Sequence, residues 1–271
     1  GPQIYRSEID DRPPEQLALV GELRTGIDKD QLVVYYQPQF NMVTLRPVRV
    51  EALVRWMHPT RGLLSPGEFI PFIELGNLVE LLTEKVLARA IADCRRWHRA
   101  GIHVDVAVNV PPRLLRHMDF AESVFAALDA ERLPADALTL EVTESGLLSD
   151  VESALPVFEA LRERGVRLSI DDFGTGYSSF THLRRLPVDE IKIDRTFVSQ
   201  MVENEEDAAI VRSTIDLGRS IGRTMVAEGV EDQETMQALL DLECDLAQGF
   251  LLAQPMTGKR FLRWIDERAA D

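Results

Sequence analysis

Val104-Asp105-Val106-Ala107-Val108-Asn109-Val110 alternates valine with smaller or polar residues, and the reading of this stretch decides the fold. Side chains on a strand point to opposite faces in turn, so the four valines share one face and Asp105, Ala107 and Asn109 share the other. A valine face packs against helices. The opposite face, ending on an asparagine, looks into a polar interior. The same parity recurs along the chain. In Leu138–Glu144 the outward set is Leu138, Leu140 and Val142, leaving Thr139, Glu141 and Thr143 inward. In Arg167–Asp171, Ser169 and Asp171 face in. In Glu190–Asp194, Lys192 and Asp194 do. The second predicted strand puts Glu51, Leu53 and Arg55 on one face, the seventh carries Glu228 and the eighth Gln248.

Around these runs the pattern predicts eight strands, near Leu32–Gln37, Val48–Trp56, Val104–Asn109, Leu138–Val142, Arg167–Asp171, Glu190–Asp194, Thr224–Glu228 and Leu246–Gly249. Helical periodicity occupies Glu15–Gly26, Leu78–Ala100, Phe120–Glu131, Leu147–Arg164, Ser178–Arg185, Asp207–Ile221, Asp232–Leu242 and Gly258–Arg268. Strands alternating with helices throughout one domain point to a closed TIM-type (β/α)₈ barrel rather than an open sheet. One connection departs from the rule. Pro38–Pro47 is too short for a parallel crossover and has no helical pattern, so the first strand is expected to run antiparallel to the others.

The bulk properties bound the function. The chain has 271 residues and is 45% apolar, normal for a single α/β barrel. No apolar run is long enough to cross a bilayer, so no membrane contact is expected of this domain. A net charge of −15 argues against binding DNA through a broad basic face. It leaves room for a small phosphodiester held through cations. Cys94 and Cys244 have no metal-ligand spacing and read as free thiols in a reducing, cytoplasmic setting. Gly1-Pro2 reads as a cleavage scar and residues 1–14 as a linker, leaving 15–271 as the barrel domain.

In barrels of this class the C-terminal ends of the strands build active sites, and here the inward polar residues cluster at those ends. Two carboxylates about 5 Å apart repel by roughly 3 kcal/mol at an effective dielectric near 20. Glu51, Glu141, Asp171, Asp172 and Glu228 therefore could not all stay ionised without cations. Carboxylate oxygens, one Asn carbonyl and no His or Cys point to Mg²⁺ or Mn²⁺. The Asp171-Asp172 pair suits two ions about 3.5–4 Å apart, the arrangement used for in-line displacement at phosphorus.

Glu51-Ala52-Leu53-Val54-Arg55-Trp56 resembles the signature of EAL-domain cyclic-di-GMP phosphodiesterases, and its company makes the likeness specific. That company is Tyr36-Gln37-Pro38, His58-Pro59, Phe69-Ile70-Pro71, Leu140-Glu141-Val142-Thr143-Glu144, Asp171-Asp172-Phe173-Gly174, Ile191-Lys192-Ile193-Asp194, Glu228-Gly229-Val230-Glu231 and Gln248-Gly249-Phe250. The resemblance implies hydrolysis of one phosphodiester of cyclic-di-GMP to linear pGpG, with two Mg²⁺ or Mn²⁺ ions. It implies that Glu51, Asn109, Glu141 and Asp171 hold one metal and that Asp171, Asp172 and Glu228 hold a second. Lys192 would hold or deprotonate the attacking water, with Glu51 and Glu228 also catalytic. Gln37, Leu53, Arg55 and Gln248 would contact substrate. Glu144 would anchor the loop that follows Asp172 and runs through Ser179, an element that in the family couples dimerisation to metal binding, so a homodimer is expected. An upstream domain of the diguanylate-cyclase type, which would carry any membrane anchor, is a further expectation. One departure stands out: Pro111 replaces the Ser usual two residues after the metal-binding Asn, so the loop after Asn109 is expected to differ.

Two other readings remain. A receptor that binds cyclic-di-GMP without cutting it would be favoured by loss of a metal ligand or of the lysine, and neither is lost. A barrel acting on a sugar or an enolisable acid would share the carboxylates but not the ordered motif series. Asp172-Phe173-Gly174 spells a kinase tripeptide without the other kinase motifs, and Gly174-Thr175-Gly176 lacks the rest of a dinucleotide fingerprint.

Overall fold

The computed structural model describes residues 14–73, 78–148, 151–175 and 186–270. The chain divides into two compact units, Gly1–Val33 with Val54–Leu82 and Val34–Leu53 with Thr83–Asp271. The strands are β1 (Leu32–Asn41), β2 (Pro47–His58), β3 (Gly62–Leu64), β4 (Asp105–Asn109), β5 (Leu138–Thr143), β6 (Arg167–Phe173), β7 (Glu190–Ile193), β8 (Thr224–Ala227), β9 (Leu246–Ala247) and β10 (Met256–Thr257). From β2 through β4, β5, β6, β7 and β8 to β9 every neighbouring pair is parallel. β1 pairs with β9 in antiparallel register and also with β2, which closes the ring of eight. The expected barrel with a reversed first strand is the observed one.

That first strand is longer than expected. It continues through Pro38 to Asn41, so the turn to β2 is only the stretch after Asn41, with Asn41 N–H donating to the Arg46 carbonyl (3.0 Å). Proline is tolerated because it falls between two ladders: Tyr35 and Tyr36 pair with β10, whereas Phe40 and Asn41 pair with β9.

The helices are α1 (Pro14–Asp28), α2 (Ile70–Ile73), α3 (Leu78–Arg99), α4 (Met118–Glu131), α5 (Glu144–Leu148), α6 (Val151–Arg164), α7 (Arg195–Val198), α8 (Glu205–Ser220), α9 (Gln233–Asp241) and α10 (Gly258–Ala270). Helix begins before the expected Leu147–Arg164, at Glu144, and covers α5 and α6 on either side of residues 149–150, which lie outside the described residues. The helix expected at Ser178–Arg185 lies outside the described residues. The acidic run before α8 is a helix start: Asn204 accepts from Glu206 N–H, and Glu205, Glu206 and Asp207 occupy the positive first turn.

The valine face of β4 is buried, with Val106 and Val108 fully so, as are Leu138 and Leu140 of β5 and Ile191 and Ile193 of β7. Aromatic packing continues this layer. Tyr36 meets Trp97 edge-on at 4.8 Å, and Trp97 meets Phe261 at the same distance. Two carboxylates outside the ladder stitch strands together: Asp189 accepts from Leu168 N–H (3.0 Å) and Asp245 from Met225 N–H (2.8 Å). Cys94 and Cys244 are free and buried, and burial pushes both thiols up to about 12.

The smaller unit holds α1, α2 and the β2–β3 hairpin, where Trp56 lies opposite Leu64. Trp56 is fully buried there, edge-on to Phe69 at 5.8 Å, with its indole N–H donating to Gln31 Oε1 (3.2 Å). Gly26 makes room for it, since a Cβ at that position would sit 2.7 Å from the indole nitrogen. No helix among the described residues is long and apolar enough to cross a membrane.

Candidate metal centre

The site forms inside the larger unit at the C-terminal ends of the parallel strands. Glu51 on β2 lies opposite Ala107, and Asn109 ends β4 opposite Glu141 of β5. Thr143 in turn lies opposite Asp171 of β6. Strict alternation would send Asp172 to the face opposite Asp171. Instead Asp172 takes a left-handed backbone (φ +54°), and β6 gains one residue on β7 between Ile170 and Phe173. This bulge turns two adjacent carboxylates toward one place, which a regular strand cannot do. Aspartate is among the side chains that adopt this region most readily.

Lys192 of β7 is at the centre. Its side chain is wholly buried, with Nζ 2.6 Å from Glu228 Oε1, 3.0 Å from Glu141 Oε2 and from Asp171 Oδ1, and 3.7 Å from Glu51 Oε2. Burial opposes the ammonium, yet the charges of Asp171, Glu141, Glu228 and Glu51 outweigh it and lift the lysine well above its ordinary range. The carboxylates divide. Burial drives Glu141 well above the usual carboxylate value, with Glu51 and Asp171 adding to the effect against the pull of Lys192. Burial likewise pushes Glu228 up to about 8, and burial with the Asp171 charge pushes Asp172 up to about 6. Glu51 moves down: burial acts against it, but Lys192, the Gln248 amide and the Asn109 amide hold it ionised. Asn109 Nδ2 donates to Glu51 Oε1 (2.6 Å) and Gln248 Nε2 to Glu51 Oε2 (2.6 Å), so both oxygens of Glu51 are fixed.

Two carboxylate triplets each converge to within 4.8 Å: Glu51 with Glu141 and Asp171, and Asp171 with Asp172 and Glu228. Asp171 belongs to both. The donor set fits hard divalent cations. Glu141 Oε1 is buried and has no hydrogen-bond partner among the described residues, a costly state that a coordinated cation relieves.

The residues singled out from sequence fall as follows. Glu51, Asn109, Glu141, Asp171, Asp172, Lys192, Glu228 and Gln248 come together at this centre. Gln37 joins them as acceptor from Gln248 Nε2 (3.1 Å). Glu144 is buried, and its Oε2 accepts from Gly174 N–H (2.8 Å), on the first turn after Asp172; Gly174 sits at φ +105°, where glycine is favoured. The rest of that loop, through Ser179, lies outside the described residues. Leu53 is half-buried on β2. Arg55 belongs to the smaller unit, where its guanidinium donates to the Val54 carbonyl (2.8 Å). After Asn109 the chain enters a 3₁₀ turn, Pro112–Arg116, and the Pro112 ring fills the space over Gly146, where a Cβ would come within 2.1 Å.

Four buried polar residues beneath the centre escaped the sequence reading as site components: Gln39, Arg49, Thr139 and Glu190. The signal was present. Each has the parity of a residue already singled out (Gln37, Glu51, Glu141 and Lys192), one step away along its strand.

A family model described as "EAL domain" matches residues 20–255. This chain belongs to the EAL family. Among its EAL relatives in Pseudomonas aeruginosa, the bifunctional diguanylate cyclase/cyclic di-GMP phosphodiesterase MucR is 41% identical over 96% of this chain and 38% of its own length. The cyclic di-GMP phosphodiesterase NbdA is 39% identical over 94% of this chain and 33% of its own. The chain thus spans about a third to two fifths of these relatives. The cyclic di-GMP phosphodiesterase RocR, of the same organism, is 35% identical over 95% of this chain and 67% of its own. The solved structure of the PaMucR phosphodiesterase in complex with c-di-GMP superposes with a TM-score of 0.87 at 40% identity, covering 90% of this chain and 99% of that one.

Proposed function

We propose that this domain hydrolyses one phosphodiester bond of cyclic-di-GMP to linear pGpG, using two divalent cations, Mg²⁺ or Mn²⁺. The observation that carries the reading is the pair of carboxylate triplets sharing Asp171 around a buried lysine. Five carboxylates against one ammonium leave a formal charge of −4 in the barrel mouth, which two divalent ions neutralise. The relatives named as cyclic-di-GMP phosphodiesterases supply the substrate.

Glu51, Asn109, Glu141 and Asp171 would hold one ion, and Asp171, Asp172 and Glu228 the other. When bound, such ions lower the pKa of water and stabilise charge on the phosphate oxygens. The chain does the remaining work. Lys192, whose Nζ lies 3.0 Å from Asp171 Oδ1, would hold or deprotonate the attacking water. Glu228, whose Oε1 lies 2.6 Å from Nζ, would act with Lys192 on that water while holding an ion. Gln248 and Asn109 hold Glu51 ionised and oriented. Gln37, Leu53 and Arg55 would contact the dinucleotide, the Arg55 guanidinium suiting a non-bridging phosphate oxygen. Glu144 would hold the first turn of the following loop through Gly174. A homodimer, an upstream diguanylate-cyclase-like domain and a cytoplasmic location complete the proposal. The name of MucR, a bifunctional diguanylate cyclase/cyclic di-GMP phosphodiesterase, supports the second of these.

Purified protein incubated with cyclic-di-GMP and Mn²⁺ or Mg²⁺ is expected to release pGpG, and Glu51→Ala is expected to abolish turnover with the fold intact. Binding of cyclic-di-GMP with no pGpG formed would replace the enzyme with a receptor.

A further inference from the structure

We infer that Arg49 and Gln39, below the metal centre, are positioning residues that fix the orientation of the Gln248 amide and through it the carboxylate of Glu51. The inference rests on the proposed metal-dependent reading of the mouth. A guanidinium only donates hydrogen bonds and keeps its charge, so it sets the polarity of whatever it touches. Arg49 is buried, and its Nε donates to Gln39 Oε1 (2.6 Å). Gln39 must therefore turn its Nε2 the other way, where it donates to Gln248 Oε1 (2.8 Å). Gln248 in turn must present Nε2 to its remaining neighbours, Glu51 Oε2 (2.6 Å) and Gln37 Oε1 (3.1 Å). Were the Gln248 amide reversed, its carbonyl would face a carboxylate. The far end is pinned as well, since Gln37 Nε2 donates to the Ala253 carbonyl (3.2 Å), which can only accept. Arg49 itself is held by Glu190 and by Thr139 Oγ1 (2.9 Å). All these side chains are buried, where a hydrogen bond is electrostatically stronger than in water and an unpaired group is costly.

Replacing Arg49 would strand Glu190 and test stability instead, so the test is made at Gln39. Gln39→Glu keeps an acceptor for Arg49 and removes the donor to Gln248. The two ends of the relay then demand opposite orientations of one amide. The readout is Mn²⁺ affinity by titration calorimetry, with turnover of cyclic-di-GMP beside it. The relay predicts that Gln39→Glu weakens Mn²⁺ binding by about 10- to 100-fold, the usual effect of disturbing a ligand's supporting contacts. It also predicts that adding Gln39→Glu to Gln248→Leu costs nothing further, because the orientation being transmitted is already gone. Gln39→Met, which adds no charge, is expected to weaken Mn²⁺ binding less than Gln39→Glu. A merely added negative charge would tighten Mn²⁺ binding. Affinity equal to or above wild type in Gln39→Glu, or losses that add in the double variant, would overturn the relay. Wild-type protein that binds Mn²⁺ yet forms no pGpG would overturn the phosphodiesterase reading alone and leave the relay to be judged on affinity.

Discussion

Among the described residues the barrel interior holds two buried polar clusters, each built around one cation, and they are balanced in opposite ways. At the strand starts Arg49 faces one carboxylate, Glu190, with Thr139 and Gln39 accepting from its other nitrogens, so charge is matched one to one, although Glu190 Oε1 is buried without a hydrogen-bond partner among the described residues. A cavity of about 330 Å³ opens there, but its rim is also paired, Arg167 with Asp105 at 3.3 Å. At the strand ends Lys192 faces four carboxylates and Asp172 adds a fifth. A matched cluster holds strands together, whereas an unmatched one is incomplete until cations arrive.

Removing each central cation separates the two. Lys192→Met is expected to lower turnover by about 10²- to 10⁴-fold, the range for a group handling a proton or water in the transition state. Without metal it also exposes the carboxylates to one another, and Mn²⁺ is expected to restore most of the lost stability in a urea melt. Arg49→Met is expected to cost about 3–5 kcal/mol, the price of a buried charge left alone. Mn²⁺ should not restore it, because the deficit lies at the other end of the barrel. Equal rescue of both variants would erase the distinction.

A smaller effect follows from pH. In metal-free protein Glu228 titrates at about 8 and Asp172 at about 6, against ordinary values of 4.5 and 3.8. Both are raised, so the folded state binds more protons than the unfolded state between those limits. Their contribution to stability is full below the ordinary values and is lost as pH rises through about 6 and then about 8. The melting temperature of metal-free protein is therefore expected to fall over that window. With saturating Mg²⁺ or Mn²⁺, which require ionised ligands, the slope should flatten or reverse. An unchanged slope on adding metal would contradict the assignment of Glu228 and Asp172.

The parts of this comparison differed in how readable they were. Alternation in Val104–Val110 and its counterparts was enough for the barrel, and the short Pro38–Pro47 connection was enough for the reversed strand. Inward parity also found Glu51, Asn109, Glu141, Asp171 and Lys192. Asp172 was legible as the neighbour of Asp171 at a strand end but not from parity, because its inward turn depends on a bulge and a positive φ that alternation does not announce. The lower cluster obeyed the same parity, but reading only strand ends hid it. Arg49 and Glu190 meet across a register that only the folded barrel supplies.

The central claim is that the unmatched mouth is completed by two divalent ions sharing Asp171. A crystal grown with Mn²⁺ and examined by anomalous scattering at the manganese edge tests it most directly. The account predicts two peaks in the mouth, one among Glu51, Asn109, Glu141 and Asp171, the other among Asp171, Asp172 and Glu228. A single peak, or manganese bound only away from these residues, would contradict it.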